Sequence, residues 1–222
     1  MNVKLISYSQ PSEQLRNADI TDVQELIAYC ARVSNPSNQY NNETSENLIR
    51  YLVKHEHWSP LEMVNICLEI ETTRDIARQI LRHRSFSYQE FSQRYADPTM
   101  DLSFKIREAR LQDKKNRQNS IPVENDAELQ KLWYTKQNEL IAKSREIYRW
   151  AIANGIAKEQ ARVVLPEGLT MSRMYMNGTV RSWIHYISLR SANGTQKEHQ
   201  DIALLCAKAI ANVFPLASTL NS

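Results

Sequence analysis

Apolar residues recur along this chain at two different periods, one of strands and one of helices. Residues 1–8 read as a short strand. Val64, Ile66, Leu68 and Ile70 alternate with Asn65, Cys67 and Glu69, the period-two signature of a half-buried strand over Val64–Ile70. Helical spacing takes over elsewhere. Thr21 with Gln24 has capping-box form, and Val23, Leu26, Ile27 and Cys30 follow as one apolar stripe. A second helix is predicted from about Glu46 to His55. A third is capped by Thr72 or Thr73, carries Ile76, Ile80 and Leu81, and ends near Arg84.

The second half is more helical. Lys105 to Glu128 is highly polar and reads as a solvated, partly helical excursion. Leu129, Leu132, Trp133, Leu140, Ile141, Ile147, Tyr148 and Ile152 mark one long helix of roughly 40 Å, with Gly155 suited to its C-terminus. A short helix bearing Arg162 should stop before Pro166. Leu169–Met176 suggests a strand with Asn177-Gly178 as its turn. Two helices remain, one over about Thr179–Leu189. The last opens at Thr195, with Glu198 in capping-box register, and carries Ile202, Leu205, Cys206, Ala209, Ile210 and Val213. Strands and helices do not alternate regularly. The expected class is α+β, a mixed or antiparallel sheet packed with helices, in one domain of residues 1–222 with an excursion at about 105–128.

Composition narrows the function. The four glycines (Gly155, Gly168, Gly178 and Gly194) are too scattered for a dinucleotide-binding G-x-G-x-x-G turn or a P-loop, so a Rossmann domain is not expected. Cys30, Cys67 and Cys206 show no paired spacing, and the N-terminus lacks an apolar signal core. Together these suggest a reducing cytoplasm and no membrane span. A net charge of +3 is too small to argue for a nucleic-acid partner.

One window concentrates chemistry: Arg82-His83-Arg84-Ser85-Phe86-Ser87-Tyr88-Gln89-Glu90-Phe91-Ser92-Gln93-Arg94-Tyr95. If residues 86–94 are extended, Glu90, Ser92 and Arg94 share one face, offering a carboxylate, a hydroxyl and a guanidinium to a nucleotide. The alternative is a solvated charged turn beside a helix C-terminus, where cations are favoured anyway. The residues alone leave both open.

Arg82-His83-Arg84, seven residues, then Ser92 and Arg94 resembles the R-H-R-x7-S-x-R signature of flavin-dependent thymidylate synthases. Further blocks are similar in the same order: Ala31-Arg32-Val33-Ser34, His57-Trp58-Ser59-Pro60-Leu61-Glu62, Ala161-Arg162-Val163-Val164-Leu165-Pro166, and Ser188-Leu189-Arg190 followed by Gln196. The resemblance implies FAD contacts from Ser34, His57, Ser59, Arg82, His83, Arg84, Glu90, Arg181 and His185. It implies dUMP contacts from Gln79, Arg82, Glu90, Phe91, Ser92, Gln93, Arg94, Arg162 and Arg190. It also implies methylenetetrahydrofolate as carbon donor, NADPH as reductant, and a homotetramer with shared active sites. Met63 stands where the family often has histidine, and Ser191–Thr195 lacks another.

Methylating uracil at C5 requires a nucleophilic C5. The chain has no Pro-Cys pair of the kind used by cysteine-dependent thymidylate synthases, and Cys30 and Cys206 lie on apolar stripes as packing residues. An electrostatic route remains, in which an arginine stabilises the developing imidate charge; by resemblance this is Arg190. Ser92 is either a nucleophile at C6 or a hydrogen-bonding contact to dUMP. The second is expected, because serine attack needs an oriented base beside it. Arg181 and His185, four apart, fall on one helix face.

Bland readings stand beside these. Arg162 could cap a helix or pair with Glu159, Arg74, Arg78 and Arg82 could form a solvated basic face, and Lys114-Lys115-Asn116-Arg117 reads as solvated surface. His55-Glu56-His57 lacks metal-site spacing, so no metal is expected. A rival class, a nucleic-acid-binding protein stacking bases on Tyr88, Phe91 and Tyr95, and an inactive nucleotide-binding homologue are the other readings.

Overall fold

A computed structural model describes residues 1–218. Its elements in order are β1 (Asn2–Tyr8), α1 (Glu13–Arg16), α2 (Val23–Ala31), α3 (Ser45–Lys54), β2 (Asn65–Thr73), α4 (Arg74–Ile80), β3 (Ser87–Glu90), α5 (Pro98–Asp101), β4 (Arg110–Gln112), β5 (Ser120–Pro122), α6 (Ala127–Ala153), α7 (Lys158–Ala161), β6 (Met171–Thr179), α8 (Val180–Ser191) and α9 (Lys197–Ala211). The main sheet runs β1-β2-β6-β3, every pair antiparallel. The α+β class holds.

The alternation read along β2 is real, and one face of the sheet is fully dry. Ile66, Leu68 and Ile70 join Met174 and Met176 of β6, Trp183, Tyr186 and Ile187 of α8, and Ile202, Cys206 and Ile210 of α9 in a single core. Trp183 satisfies its indole N–H on the Ile66 carbonyl at 2.9 Å, as a buried tryptophan must. The other face is a polar ladder. Glu69 opposes Tyr175 and accepts its hydroxyl at 2.9 Å, while Arg173 donates to its register partner Glu71. Such cross-strand pairs fix register, since a one-residue slip would invert both faces.

Several local expectations need correction. The capping box of α2 is one residue later than expected: Asp22 accepts from Glu25 N–H at 2.8 Å, and Glu25 reaches back to the Asp22 N–H. β6 continues through Asn177-Gly178, which pair with Cys67 and Ile66 instead of turning. Gly178 is there for close approach: a Cβ would lie 2.3 Å from Cδ1 of Phe86. The 105–128 excursion contains a two-stranded hairpin, β4–β5, and its only helical residues are Ala127 and Glu128, where α6 begins. Helix α9 starts after Gln196, with neither Thr195 nor a capping box at its head; Glu198 is buried in a side-chain network instead.

Helix α6 has 27 residues, about 40 Å, and ends before Gly155 at φ +77°. Its buried residues are few: Gln137, Ile141, Ser144, Tyr148 and Ala151. Leu132, Trp133 and Leu140 of the stripe that announced the helix, together with Tyr134 and Trp150, stand 45–60% exposed.

Candidate active site

Helix α4 stops at Ile80 rather than near Arg84, and the tight turn that follows places the Arg82-His83-Arg84 segment. The Tyr88 hydroxyl, on β3, lies 2.9 Å from both the Ile80 and His83 carbonyls and shares its one proton between acceptors that the helix end leaves open. His83 thus points back toward α8. Arg190, in the last turn of α8, donates from Nε to His83 Nε2 at 2.9 Å. Burial, and then the Arg190 charge, push His83 down to about 4. The ring is neutral at pH 7 and accepts, so Arg190 keeps an unneutralised positive charge.

The same corner holds a polar chain that crosses four elements, α8, α9, α4 and β4. Tyr186 (α8) meets His199 Nε2 at 3.1 Å, and His199 Nδ1 meets Gln79 Oε1 at 3.2 Å. Gln79 Nε2 donates to Gln196 Oε1 at 2.9 Å, Gln196 Nε2 to Glu198 at 2.9 Å, and Arg110 of β4 to Glu198 at 2.5 Å. Sequence reading missed Tyr186, His199, Glu198 and Arg110. A signal existed: His199 lies on the apolar stripe of α9 with Ile202, Cys206 and Ile210, and is wholly buried.

A second group gathers at the N-terminal half of α8. Arg181 pairs with Glu62, and the His185 ring packs 4.4 Å from Trp58, so both expected residues face the 58–62 segment. Burial and then Arg181 lower the His185 pKa. Ser59 lies in the same segment, and the Arg181 Nε is buried without a hydrogen-bond partner. Ser34 and His57 are exposed, the latter with its ring 6.1 Å from Tyr51.

A third group lines an open groove of about 490 Å³ bounded by Arg74, Arg78, Gln93, Glu159, Arg162 and Glu167. Arg78 pairs with Glu167, and Arg94 with Glu159 at 3.4 Å. Arg162 donates to the Glu159 carbonyl at 3.2 Å but meets no carboxylate among the described residues, so only part of its bland reading is realised. Gln93 is buried with its Nε2 unpartnered.

The row of Glu90, Ser92 and Arg94 is not a strand face. β3 ends at Glu90, and the Ser92 carbonyl accepts from Tyr95 and Ala96 N–H in a turn. The last ladder contact is Phe91 N–H to the Arg173 carbonyl at 2.8 Å, and the Phe91 side chain is half-buried. Glu90 takes a 2.7 Å hydrogen bond from Ser172 and lies 3.6 Å from Arg74. Ser92 Oγ accepts from Arg94 N–H at 3.4 Å, and no base touches it among the described residues. Arg82 and Arg84 are exposed, and their side chains have no partner among the described residues. No hydrogen bond or ion pair among those residues joins one of the three groups to another.

The chain matches the family described as thymidylate synthase complementing protein over residues 17–216. It is 48% identical over 215 residues to a probable flavin-dependent thymidylate synthase of Paramecium bursaria Chlorella virus 1, covering 97% of this chain and 96% of that one. This chain belongs to the flavin-dependent thymidylate synthase family. A second member, the flavin-dependent thymidylate synthase of Synechocystis sp., is 47% identical over 216 residues at the same coverage. In fold, the chain resembles the UMP/dUMP methylase PolB of Streptomyces cacaoi bound with 5-Br dUMP, with TM-score 0.77, 23% identity, and 99% and 93% of the two chains covered.

The thiols of this chain are not arranged as nucleophiles. All three are free. Burial raises the Cys30 and Cys67 pKa, and Cys206, in the core, is raised furthest. None has the lowered pKa of a nucleophile. Among the described residues no group of His, Cys, Asp and Glu is arranged to hold a metal, and no helix is long and apolar enough to cross a membrane.

Proposed function

We propose that this chain converts dUMP to dTMP by reductive methylation at C5, with methylenetetrahydrofolate as carbon donor, FAD as hydride carrier and NADPH as reductant. The observation that carries the reading is Arg190 held by a neutral histidine. A guanidinium paired with a carboxylate has little charge to lend, whereas Arg190 can stabilise negative charge developing on the uracil imide. Arginine cannot itself act as the base, because it stays protonated in proteins.

The residues fit the ligands. A phosphate-bearing dinucleotide held without a glycine turn needs cationic side chains, and Arg82 and Arg84 are uncommitted. His83, His185, Arg181, Ser59, His57, Ser34 and Glu90 complete the FAD set. Bound there, FAD supplies the hydride. For dUMP, the Arg162 guanidinium and the orphaned Gln93 amide offer donors, with Gln79, Arg82, Glu90, Phe91, Ser92, Arg94 and Arg190. Ser92 serves as a hydrogen-bonding contact, since serine attack needs an adjacent base.

We further place the chain in the cytoplasm as a homotetramer whose sites draw on more than one subunit. The separation of the three groups and the bare apolar face of α6 support that assembly. The rival nucleic-acid reading loses one stacking residue, as Tyr88 is turned inward with its hydroxyl engaged. The test is direct. Purified protein should be yellow, release FAD intact on denaturation, and form dTMP from dUMP with methylenetetrahydrofolate and NADPH. Colourless protein that takes up no FAD and forms no dTMP would end the reading.

A further inference from the structure

The polar chain from Arg110 to Tyr186 has a direction, and one residue sets it. Glu198 is buried. Burial raises its carboxyl, but hydrogen bonds from Arg110, its own backbone and Gln196 hold it below the ordinary carboxylate value. A carboxylate only accepts. Gln196 must therefore turn Nε2 toward Glu198 (2.9 Å), which leaves Oε1 facing Gln79. Gln79 must answer with Nε2 (2.9 Å), which turns its Oε1 toward His199. His199 must answer with a proton on Nδ1 (3.2 Å), so its Nε2 is bare and accepts from the Tyr186 hydroxyl (3.1 Å). Every amide and the imidazole tautomer follow from the single acceptor-only end. His199 stays neutral, pushed to about 3 by burial and then by Arg190 and His83, so the arrangement persists throughout the neutral range.

We propose that Glu198 fixes the orientation of the Gln79 amide through this relay, so that Gln79 offers the nucleotide an N–H and never a carbonyl. Gln79 Nε2 carries two protons. One goes to Gln196, and the other is engaged by no described residue. A fixed donor suits the 4-carbonyl of uracil and repels the 4-amino group of cytosine, because two donors face each other and neither is satisfied. Glu198, Gln196, His199 and Tyr186 are then positioning residues for pyrimidine choice. The selection step rests on the reading of Gln79 as a base contact; the direction of the relay does not.

Glu198→Gln tests both parts with the shape conserved. Arg110 then holds the new carbonyl, and the new amide N–H faces Gln196. The whole relay should reverse, leaving His199 protonated on Nε2 and Gln79 presenting Oε1. Nitrogen-15 NMR of the histidines in the whole protein reads the tautomer directly. Wild type should show His199 as Nδ1–H across pH 6–8, and Glu198→Gln should show Nε2–H (the pH range is on the order of the imidazole window). Tyr186→Phe should keep Nδ1–H, since the order comes from the other end. Wild type in the Nε2–H form, an unchanged tautomer in Glu198→Gln, or a switch in Tyr186→Phe would overturn the relay. Where Glu198→Gln does not fold, wild type and Tyr186→Phe still decide it. Separately, the preference for dUMP over dCMP in binding should relax roughly ten- to a hundredfold in Glu198→Gln. A reversed tautomer with both nucleotides weakened equally would keep the relay and overturn its role in base selection.

Discussion

Arg190 shows how a neutral partner can be more useful to an arginine than an acidic one. Elsewhere in this chain arginines close on carboxylates, as Arg107 does on Asp75 at 2.7 Å and Arg173 on Glu71 at 2.6 Å. At His83 the guanidinium is oriented by a 2.9 Å contact that costs it no charge. Replacing Arg190 by Gln should cut dTMP formation by roughly 10²–10³-fold, the usual loss of one stabilising donor. The same change should raise the His83 pKa, because one of its two depressing influences is removed while burial stays. Turnover and an NMR titration of His83 read the two effects, and unchanged turnover would refute the assignment. The buried imidazoles also give stability a pH dependence of known sign. His83 at about 4 and His199 at about 3 lie below the ordinary histidine value of about 6.5. As pH falls below that value the unfolded chain binds protons that the folded chain refuses. Stability is therefore full above about pH 6.5 and is lost progressively as pH drops toward 4 and then 3. Urea midpoints should fall between pH 7 and pH 5. A flat profile there would mean that the rings are not held neutral.

At the scale of elements, the junction of β3, β6 and α8 determines where the site sits. Phe86 packs on Gly178 of β6 and meets the Trp183 ring edge-on at 4.8 Å, which seats the turn bearing Arg82–Arg84. Gly178→Ala should destabilise the protein by about 1–3 kcal/mol through overpacking, read as a lower urea midpoint. It should also weaken flavin retention; an unaffected variant would mean that the turn is held by Tyr88 alone. The sequence was most legible where one periodicity ran unopposed: the alternation of Val64–Ile70, the long repeat of α6, and the pairing of Arg181 with His185. It misled where tertiary packing overrode a local signal. Asn177-Gly178 is a strong turn dipeptide, yet two neighbouring strands claim its backbone. Glu90, Ser92 and Arg94 have strand spacing, yet the ladder ends before Ser92. The β4–β5 strands have three residues each, too short and polar to show a period. Glu198 looked like a cap because its partners, Arg110 and Gln196, meet it only in three dimensions. The R-H-R window was visible as chemistry; its roles came from family resemblance, not from spacing.

For the whole molecule, helix α6 is the anomaly. Its apolar stripe marks a helix, but Leu132 of that stripe is 52% exposed and nearby Trp150 60%, in a run longer than scattered surface apolars produce. The association proposed above would cover it and bring together site groups that one chain leaves apart. Mixing an Arg190→Ala chain with an Arg84→Ala chain after dissociation and reassembly should restore activity at some sites, if those arginines serve one site from different subunits. Hybrids that form without regaining activity at any ratio would assign both to one chain, and a fully active monomer would refute shared sites. The sheet carries a consequence of another kind, for synthesis. β2 is complete by Thr73, but its central partner is β6, and a pair such as Glu69 and Tyr175 spans 106 residues. At about 5–20 residues per second a ribosome needs roughly 5–20 s to bridge that gap. Throughout that interval Ile66, Leu68 and Ile70 have no β6 beside them and none of the α8–α9 cover. The nascent chain therefore emerges with an apolar strand half-finished, and its folding is set by the arrival of its last quarter.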